Sequence, residues 1–330
     1  MKSVLGIGNA LVDVLISLEE DALLEKFQLQ KGSMTLVDKE KMKAVLLHAA
    51  PLELKVKHRK SSGGSVANTI HGLALLGGPA GYIGKIGLDE YGDFFRSYMS
   101  QCNICATLFP GKEDSGKSIV LISPDSERTF ATYLGAAIEL DASDLAPDHF
   151  LKYDYFHLEG YLVQNHALVQ AAAKIAHENG ITISIDLASY NIVAANLDFL
   201  HDIVDRYVDV VFANEEEARA FTGKNDPEAA LQDIAKKCQI AIVKIGKEGS
   251  LIRQKGQTYH VEAIKANAID TTGAGDLYAS GFFFGLVNGQ SMETCGKIGA
   301  ITSGNVVEVI GAKMDEARWQ KIRGMVKNLL

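Results

Sequence analysis

Basic residues are outnumbered in this chain, and long apolar runs are missing. The 330 residues include 33 Lys and Arg against 41 Asp and Glu, which gives a formal net charge of −8. Binding to nucleic acid or to an anionic membrane needs clustered Lys and Arg, so neither partner is expected. No stretch of about 18 consecutive apolar residues is available to span a bilayer.

The N-terminus lacks the features of a signal peptide. Its apolar residues follow a single Lys and are interrupted by Gly6, Gly8, Asn9 and Asp13. A signal peptide needs an uninterrupted apolar region and a cleavage site of small residues. We therefore predict that this segment is a first strand.

Cysteine is sparse, with only four residues. Cys102 and Cys105 form a C-x-x-C pair, which is compatible with a redox pair or with half of a zinc site. A zinc site would need a second close pair of ligands, whereas Cys238 and Cys295 are far apart in the sequence. We expect buried, reduced thiols and hence a cytoplasmic protein.

Apolar, β-branched runs alternate with helix-length segments through most of the chain. This alternation predicts an α/β fold with a central, mostly parallel sheet and helices on both faces. No linker or repeat divides the chain, so residues 1–330 are predicted to form a single domain. Ligands of such sheets bind beyond the carboxyl ends of the strands.

Residues 117–134 break this rhythm. Two β-type runs flank a Pro-Asp-Ser-Glu turn, which predicts a hairpin. Together with residues 32–38 the hairpin could form a small antiparallel sheet over a substrate pocket. We predict a β-sheet lid built from residues of about 11–18, 32–40 and 114–134.

Two glycine motifs resemble nucleotide-binding sequences without their structural context. Residues 111–118, GKEDSGKS, match the P-loop pattern, but β-branched residues follow where a P-loop needs a helix. We predict that Lys117 and Ser118 lie on the first strand of the lid instead. GIGNAL near the N-terminus resembles a dinucleotide fingerprint, but Leu11 replaces its third glycine, so a nicotinamide-dependent enzyme is a weak alternative.

The segment DTTGAGD at residues 270–276 has the context that the other motifs lack. A turn of small residues, Gly273 to Gly275, opens an apolar helix, so backbone N–H groups and the helix dipole can bind an anion. Asp276 beside that turn could accept a proton from an attacking hydroxyl group. An Asp that only stabilises the first helical turn is the alternative.

Three further polar positions are candidates for binding. Asn68 follows a glycine turn inside a predicted helix, where Asn is unfavourable unless its amide is used. Asp13 lies in an apolar strand and needs a hydrogen-bonding partner, for example the hydroxyls of a sugar. Asn214 and Glu217 form a capping box, and Glu217 could also lie near a hydrated magnesium ion.

Taken together, these motifs resemble the ribokinase-type (PfkB) family of small-molecule kinases, from about residue 4 to residue 313. DTTGAGD resembles the specific C-terminal signature of that family, while GGSVANT and IGLDEYG resemble the N-terminal one. GIGNALVD, KGSMTLVD and ERTFATYLGA look most like the adenosine kinase branch and its bacterial relatives. The resemblance implies a ribokinase-like fold and the use of ATP and Mg²⁺.

The resemblance also implies roles for individual residues. Asp276 would be the catalytic base, Gly273, Ala274 and Gly275 the anion hole, and Arg128 a lid residue that reaches the phosphates. Sugar hydroxyls would be held by Asp13, Gly64 and Asn68, and the nucleotide and magnesium by Asn214, Glu217, Gly246 and Gly249. Asp270 and Thr272 fall where many members bind a monovalent cation such as K⁺.

The sequence departs from the family at two positions near the nucleotide. Lys244 stands where many members have Thr or Ser, and Ala300 where many sugar kinases have Asn. We predict a phosphotransferase that acts on a primary hydroxyl of a sugar or nucleoside, with adenosine as first choice and a free furanose such as ribose or fructose as the alternative. A P-loop NTPase and a non-catalytic sugar-binding protein are alternatives from other classes, and both a monomer and a homodimer are compatible with the sequence.

Overall fold

The computed structural model describes residues 1–53, 60–125 and 127–330. The predicted turn at residues 124–127 includes Ser126, which lies outside the described residues. In the part of the chain that is described, no helix is both long and apolar enough to cross a bilayer.

Fourteen strands are found in the described residues. In chain order they are β1 (Val4–Ile7), β2 (Leu11–Ser17), β3 (Met34–Leu36), β4 (Lys60–Gly63), β5 (Ala80–Ile86), β6 (Cys105–Pro110), β7 (Gly116–Ile122), β8 (Arg128–Tyr133), β9 (Tyr155–Glu159), β10 (Thr182–Asp186), β11 (Val210–Asn214), β12 (Ile240–Lys244), β13 (Ser250–Gln254) and β14 (Gln257–Val261).

The α-helices follow the same alternation. They are α1 (Ala22–Lys26), α2 (Lys39–Glu53), α3 (Ser65–Leu75), α4 (Glu90–Gln101), α5 (His166–Glu178), α6 (Tyr190–Ala195), α7 (Leu197–Tyr207), α8 (Glu215–Thr222), α9 (Pro227–Ile234), α10 (Ala274–Val287), α11 (Met292–Val306) and α12 (Glu316–Lys327).

The main sheet has nine strands in the order β14-β13-β12-β11-β10-β9-β1-β5-β6. The strands from β12 to β6 run parallel to their neighbours, whereas β13 and β14 form an antiparallel edge. Two large apolar clusters include residues of this sheet and of the helices that flank it. The prediction of a mostly parallel α/β sheet is therefore confirmed.

The second sheet has five strands in the order β3-β8-β7-β2-β4. The predicted hairpin is present, because β7 and β8 pair antiparallel and Ser118 lies opposite Thr132. The prediction of an antiparallel sheet is only partly correct, because β2 runs parallel to β7 and β3 runs parallel to β8. Strand β4, which was not predicted, pairs antiparallel with β2. One face of this sheet packs on α1 and α2 through an apolar cluster that includes Val14, Ile119 and Ala131.

The P-loop-like segment GKEDSGKS enters this second sheet. Its first residues form a loop, and Lys117 and Ser118 lie on strand β7, so the predicted placement is confirmed. A Cβ atom on Gly116 would lie 2.6 Å from the Leu134 carbonyl oxygen. The final glycine of the segment is thus required by the close approach of two backbones.

The prediction for the cysteines is only partly correct. All four thiols are free, but Cys105 is exposed and only Cys295 is fully buried. Cys105 begins β6, an edge strand of the main sheet, and its Sγ accepts a hydrogen bond of 3.0 Å from Lys152 Nζ. This ammonium group lowers the pKa of the Cys105 thiol.

Candidate active site

A cleft of about 1100 Å³ lies at the carboxyl ends of β10, β11 and β12. It is the position at which parallel α/β sheets bind ligands. Most of the predicted site residues line it: Asp13, Gly64, Asn68, Asn214, Glu217, Gly246, Gly249, Thr272, Gly273, Ala274, Gly275 and Asp276. Arg128 and Asp270 were also predicted for the site, but they are not among the described residues that line the cleft.

Asp276 lies in the first turn of α10, directly after the glycine-rich turn. Gly273 is the residue before the helix and has φ of 76°, a left-handed conformation that favours glycine. Helix α10 is apolar around its whole circumference and is buried from Leu277 to Val287. Because the body of the helix is fixed in the core, its N-terminal N–H groups face the cleft in a defined position.

Two side chains from the start of α3 hold the Asp276 carboxylate. Ser65 Oγ donates to Oδ1 at 2.7 Å, and Asn68 Nδ2 donates to Oδ2 at 2.9 Å. Burial nevertheless raises the pKa of Asp276 to about 6, because desolvation outweighs the stabilising effect of these two hydrogen bonds. A carboxylate with this pKa is ionised at neutral pH and is a stronger base than an ordinary Asp.

The Asn68 amide is itself oriented by a lysine that the sequence analysis missed. Lys313 Nζ donates to Asn68 Oδ1 at 2.9 Å, so the NH₂ group of Asn68 must point to Asp276. Burial lowers the pKa of Lys313 to about 8, and nearby Asp13 partly offsets this effect. The pKa of Asp13 in turn is raised to about 6 by burial.

An ion pair between Lys244 and Asp186, which was not predicted from the sequence, lies on the other side of the glycine-rich turn. Lys244 ends β12 and donates to Asp186 Oδ2 at 2.9 Å, where Asp186 ends β10. A Cβ atom on Gly275 would lie 3.0 Å from Lys244 Nζ, so the ammonium group is adjacent to the predicted anion hole. Burial opposes the charge of Lys244, but attraction to Asp186 and Glu217 raises its pKa overall.

The capping box of α8 is present as predicted. Asn214 Oδ1 accepts from the Glu217 backbone N–H at 2.9 Å, while the Glu217 carboxylate accepts from the backbone N–H and the amide of Asn214 at 2.8 and 2.7 Å. Burial raises the pKa of Glu217 to about 7. Both carboxylate oxygens already accept a hydrogen bond, which fits a magnesium ion held through its water ligands.

Three of the predicted glycines have different physical reasons. Gly64 has φ of 96°, and a Cβ atom there would lie 2.1 Å from the Asn9 carbonyl oxygen. Gly249 has φ of 103°, and its Cβ would lie 2.0 Å from the Val261 carbonyl oxygen. Gly246 also has positive φ, of 56°, but the space beside it is open to the cleft.

Glu159 at the end of β9 is a further residue that the sequence analysis missed. Its buried carboxylate accepts from the backbone N–H and amide of Asn9 and from the backbone N–H of Val66, and burial raises its pKa to about 7. It therefore links the end of β1 to the start of α3. A polar residue at the end of each of β9, β10, β11 and β12 was the signal that could have identified it.

Asp13 lies on one face of the second sheet and lines the cleft, whereas its neighbours on that face lie outside the described residues that line it. The register places Ser118, Thr132 and Leu36 in one row with Asp13 across the sheet. Side chains two residues away on each strand point to the same face. They include Leu15, Val120, Phe130 and Met34, with Leu36 and Met34 55% and 49% exposed. Tyr133, the residue after Thr132, packs on the α1–α2 side of the sheet instead.

Comparisons with known proteins identify the family of this chain. Residues 36–318 match the pfkB family carbohydrate kinase domain. A 5-dehydro-2-deoxygluconokinase of Listeria monocytogenes is 30% identical over 275 residues, which cover 78% of this chain and 84% of that protein.

Two solved structures extend over nearly the whole chain. A probable sugar kinase from Rhizobium etli superimposes with a TM-score of 0.88 at 33% identity, over 100% of this chain and 99% of the other. Adenosine kinase from Sinorhizobium meliloti gives a TM-score of 0.87 at 32% identity, over 98% and 99%. The ribokinase-like fold is therefore established.

Proposed function

The chain belongs to the pfkB family of carbohydrate kinases, phosphotransferases that act on hydroxyl groups, and on that premise we propose that it transfers the γ-phosphate of ATP to a primary hydroxyl of a sugar or nucleoside. Adenosine is the first choice of acceptor. The observation that carries the proposal is the position of Asp276, which lies beside the anion-binding turn and is held by Ser65 and Asn68.

In this proposal each group acts on a defined part of the reaction. The acceptor hydroxyl lies against Asp276, whose carboxylate takes the proton as the bond from the acceptor oxygen to the γ-phosphorus forms. The bond from that phosphorus to the bridging oxygen breaks, and ADP leaves. The N–H groups of Gly273 and Gly275 and the Lys244 ammonium stabilise negative charge on the transferring phosphoryl group, while the Ala274 N–H donates to the Thr271 carbonyl oxygen. Mg²⁺, when bound through water near Glu217, neutralises charge on the nucleotide phosphates.

The second sheet acts as a lid in the same proposal. Its cleft-side face would cover the acceptor and exclude water, which otherwise competes as phosphoryl acceptor. Asp13 on this face would hold hydroxyls together with Asn68, and the apolar residues beside it would form a wall for a base. That apolar face, and the likeness to adenosine kinase from Sinorhizobium meliloti, favour a nucleoside.

A free-sugar kinase is the second candidate. It is favoured by the likeness to 5-dehydro-2-deoxygluconokinases and by the polar end of the cleft, where Lys313 and Asn68 adjoin Asp13. A panel of adenosine, inosine, ribose, fructose and 5-dehydro-2-deoxygluconate, assayed by ADP release, separates the candidates. ATP-dependent turnover of none of them, in a folded protein, would contradict the proposal.

Removal of the Phe130 ring tests whether the lid contacts a base. Phe130→Ala should raise KM for a nucleoside roughly tenfold to a hundredfold, because the contact of a large apolar side chain is lost. KM for a free sugar should be unchanged by the same substitution. Leu47→Ala is the control, since Leu47 is a large apolar residue that is 72% exposed on α2, the helix that packs on the opposite face of the second sheet. An unchanged KM for the nucleoside in Phe130→Ala would contradict the proposal that apolar residues of the second sheet contact the base.

The reaction should depend on pH through Asp276 and Lys313. Asp276 must be ionised to accept a proton, so kcat/KM should fall about tenfold per pH unit below its pKa of about 6. Loss of a proton from Lys313 removes the positive charge that strengthens its hydrogen bond to Asn68, so activity should also fall above its pKa of about 8. The profile is measured from pH 5 to 9.5 at saturating magnesium and ATP. Lys313→Met should abolish the fall in activity at alkaline pH and leave the fall at acidic pH. If the fall at alkaline pH persists in this variant, a group other than Lys313 causes it.

A further inference from the structure

Both oxygen atoms of the Asp270 carboxylate accept hydrogen bonds from groups of the chain. Its Oδ1 accepts from the Thr272 backbone N–H at 3.0 Å. Its Oδ2 accepts from the Gly311 backbone N–H at 2.7 Å and from Nη1 of Arg128. Both partners of the ion pair are buried, with 7% of each side chain exposed.

This arrangement does not fit a monovalent cation bound by Asp270 and Thr272. Such a cation needs oxygen atoms that are free to coordinate it, and it brings one positive charge to a buried carboxylate. The Arg128 guanidinium already supplies that charge at the same oxygen atom that Gly311 uses. A cation added beside it would place two positive charges together in a buried region, which is unfavourable.

Arg128 connects two parts of the fold that are distant in sequence. It is the first residue of β8 in the second sheet, whereas Asp270 begins the glycine-rich turn before α10. Asp270 binds the backbone of Thr272, and the Ala274 N–H donates to the Thr271 carbonyl oxygen at 3.1 Å. The position of the guanidinium is thus transmitted through one carboxylate to the backbone of the anion-binding turn.

We propose that Arg128 replaces a bound monovalent cation in this protein. The guanidinium neutralises Asp270, fixes the backbone of residues 270–274 and fastens that turn to the second sheet. Arg128 is then a positioning residue, which acts on the reacting phosphoryl group through Asp270 and the turn. The protein should be independent of K⁺.

Thermal unfolding in different salts tests this proposal without any assay of activity. The wild type should have one unfolding midpoint in NaCl, KCl and tetramethylammonium chloride at equal ionic strength. Arg128→Met should unfold several degrees lower, because Asp270 is left buried without a counter-charge. Millimolar K⁺ or guanidinium should restore part of that loss in Arg128→Met, since the vacated position can then hold a small cation.

Two further variants make the test specific. Arg128→Met/Asp270→Asn should be more stable than Arg128→Met alone and should not respond to K⁺, because no charge remains to be neutralised. Arg96→Met is the matched control, since Arg96 is an exposed arginine on α4. It should unfold like the wild type in every salt.

Activity provides a second readout. Wild-type turnover with ATP should be equal in Na⁺ and K⁺, whereas Arg128→Met should lose about tenfold or more and regain part of it with K⁺. A wild type that requires K⁺ for turnover or stability would overturn the proposal. So would an Arg128→Met variant that unfolds like the wild type. The unfolding test stands even if none of the proposed acceptors is phosphorylated, so the two proposals can fail separately.

Discussion

Asp276→Asn should turn over roughly 10²–10⁴-fold more slowly than the wild type, with unchanged affinity for ATP. The substitution replaces the carboxylate by an amide, which cannot accept the proton of the attacking hydroxyl. The Asn oxygen can still accept from Asn68, and the Asn NH₂ can donate to the Ser65 hydroxyl, so both neighbours keep a partner. Folding should therefore be retained.

The measurements for Asp276→Asn are single-turnover rates with saturating acceptor and equilibrium binding of ATP. Asp233→Asn is a suitable control, because Asp233 lies on α9 and its exchange also removes one acidic charge. Near-normal turnover in Asp276→Asn would refute the role of general base. Loss of ATP binding and turnover together would indicate that Asp276 serves the nucleotide site instead.

Lys244→Met should lower kcat about 10²–10³-fold, comparable to the loss of one oxyanion-hole donor. The Lys244 ammonium is adjacent to Gly275, so it can contact the charge that develops on the transferring phosphoryl group. Met keeps much of the apolar stem and removes only the charge. The substitution also leaves Asp186 without its ion-pair partner, which should lower the unfolding midpoint by a few degrees.

A second variant separates catalysis from stability. Lys244→Met/Asp186→Asn should recover the unfolding midpoint and remain slow, because the buried charge is neutralised and the ammonium group is still missing. Lys247→Met is the matched control, since Lys247 also lines the cleft but is exposed. Full activity of Lys244→Met would mean that the anion-binding turn alone carries the phosphoryl group.

Local sequence context was sufficient for the elements of the site that are close together in the chain. The β-branched residues after GKEDSGKS ruled out a P-loop, and Lys117 lies on a strand as expected. The capping box of Asn214 and Glu217 spans three residues and was visible directly. The glycine-rich turn before α10 could be predicted for the same reason, because its glycines and the helix that follows are contiguous.

Pairs that join distant segments could not be predicted in this way. Arg128 and Asp270 are 142 residues apart, and Lys313 and Asn68 are 245 residues apart. Hydrophobic periodicity indicates which face of an element is buried, but it does not specify which polar side chain from another element will meet it. From the sequence, Arg128 is predicted to reach the phosphates and Asp270 to bind a cation, whereas the structure pairs the two residues with each other.

The proposed acceptor and phosphate contacts have different origins in the fold. Asp13 and the proposed apolar wall belong to the second sheet. Asn214 and Lys244 instead end strands of the main sheet, and Asp276 lies in the first turn of α10. Mutations in the second sheet can therefore change which acceptor is accepted without changing the machinery of phosphoryl transfer. In evolutionary terms, substitutions on the cleft-side face of the second sheet can give this chain a new acceptor, provided that Arg128 is retained as the proposed partner of Asp270.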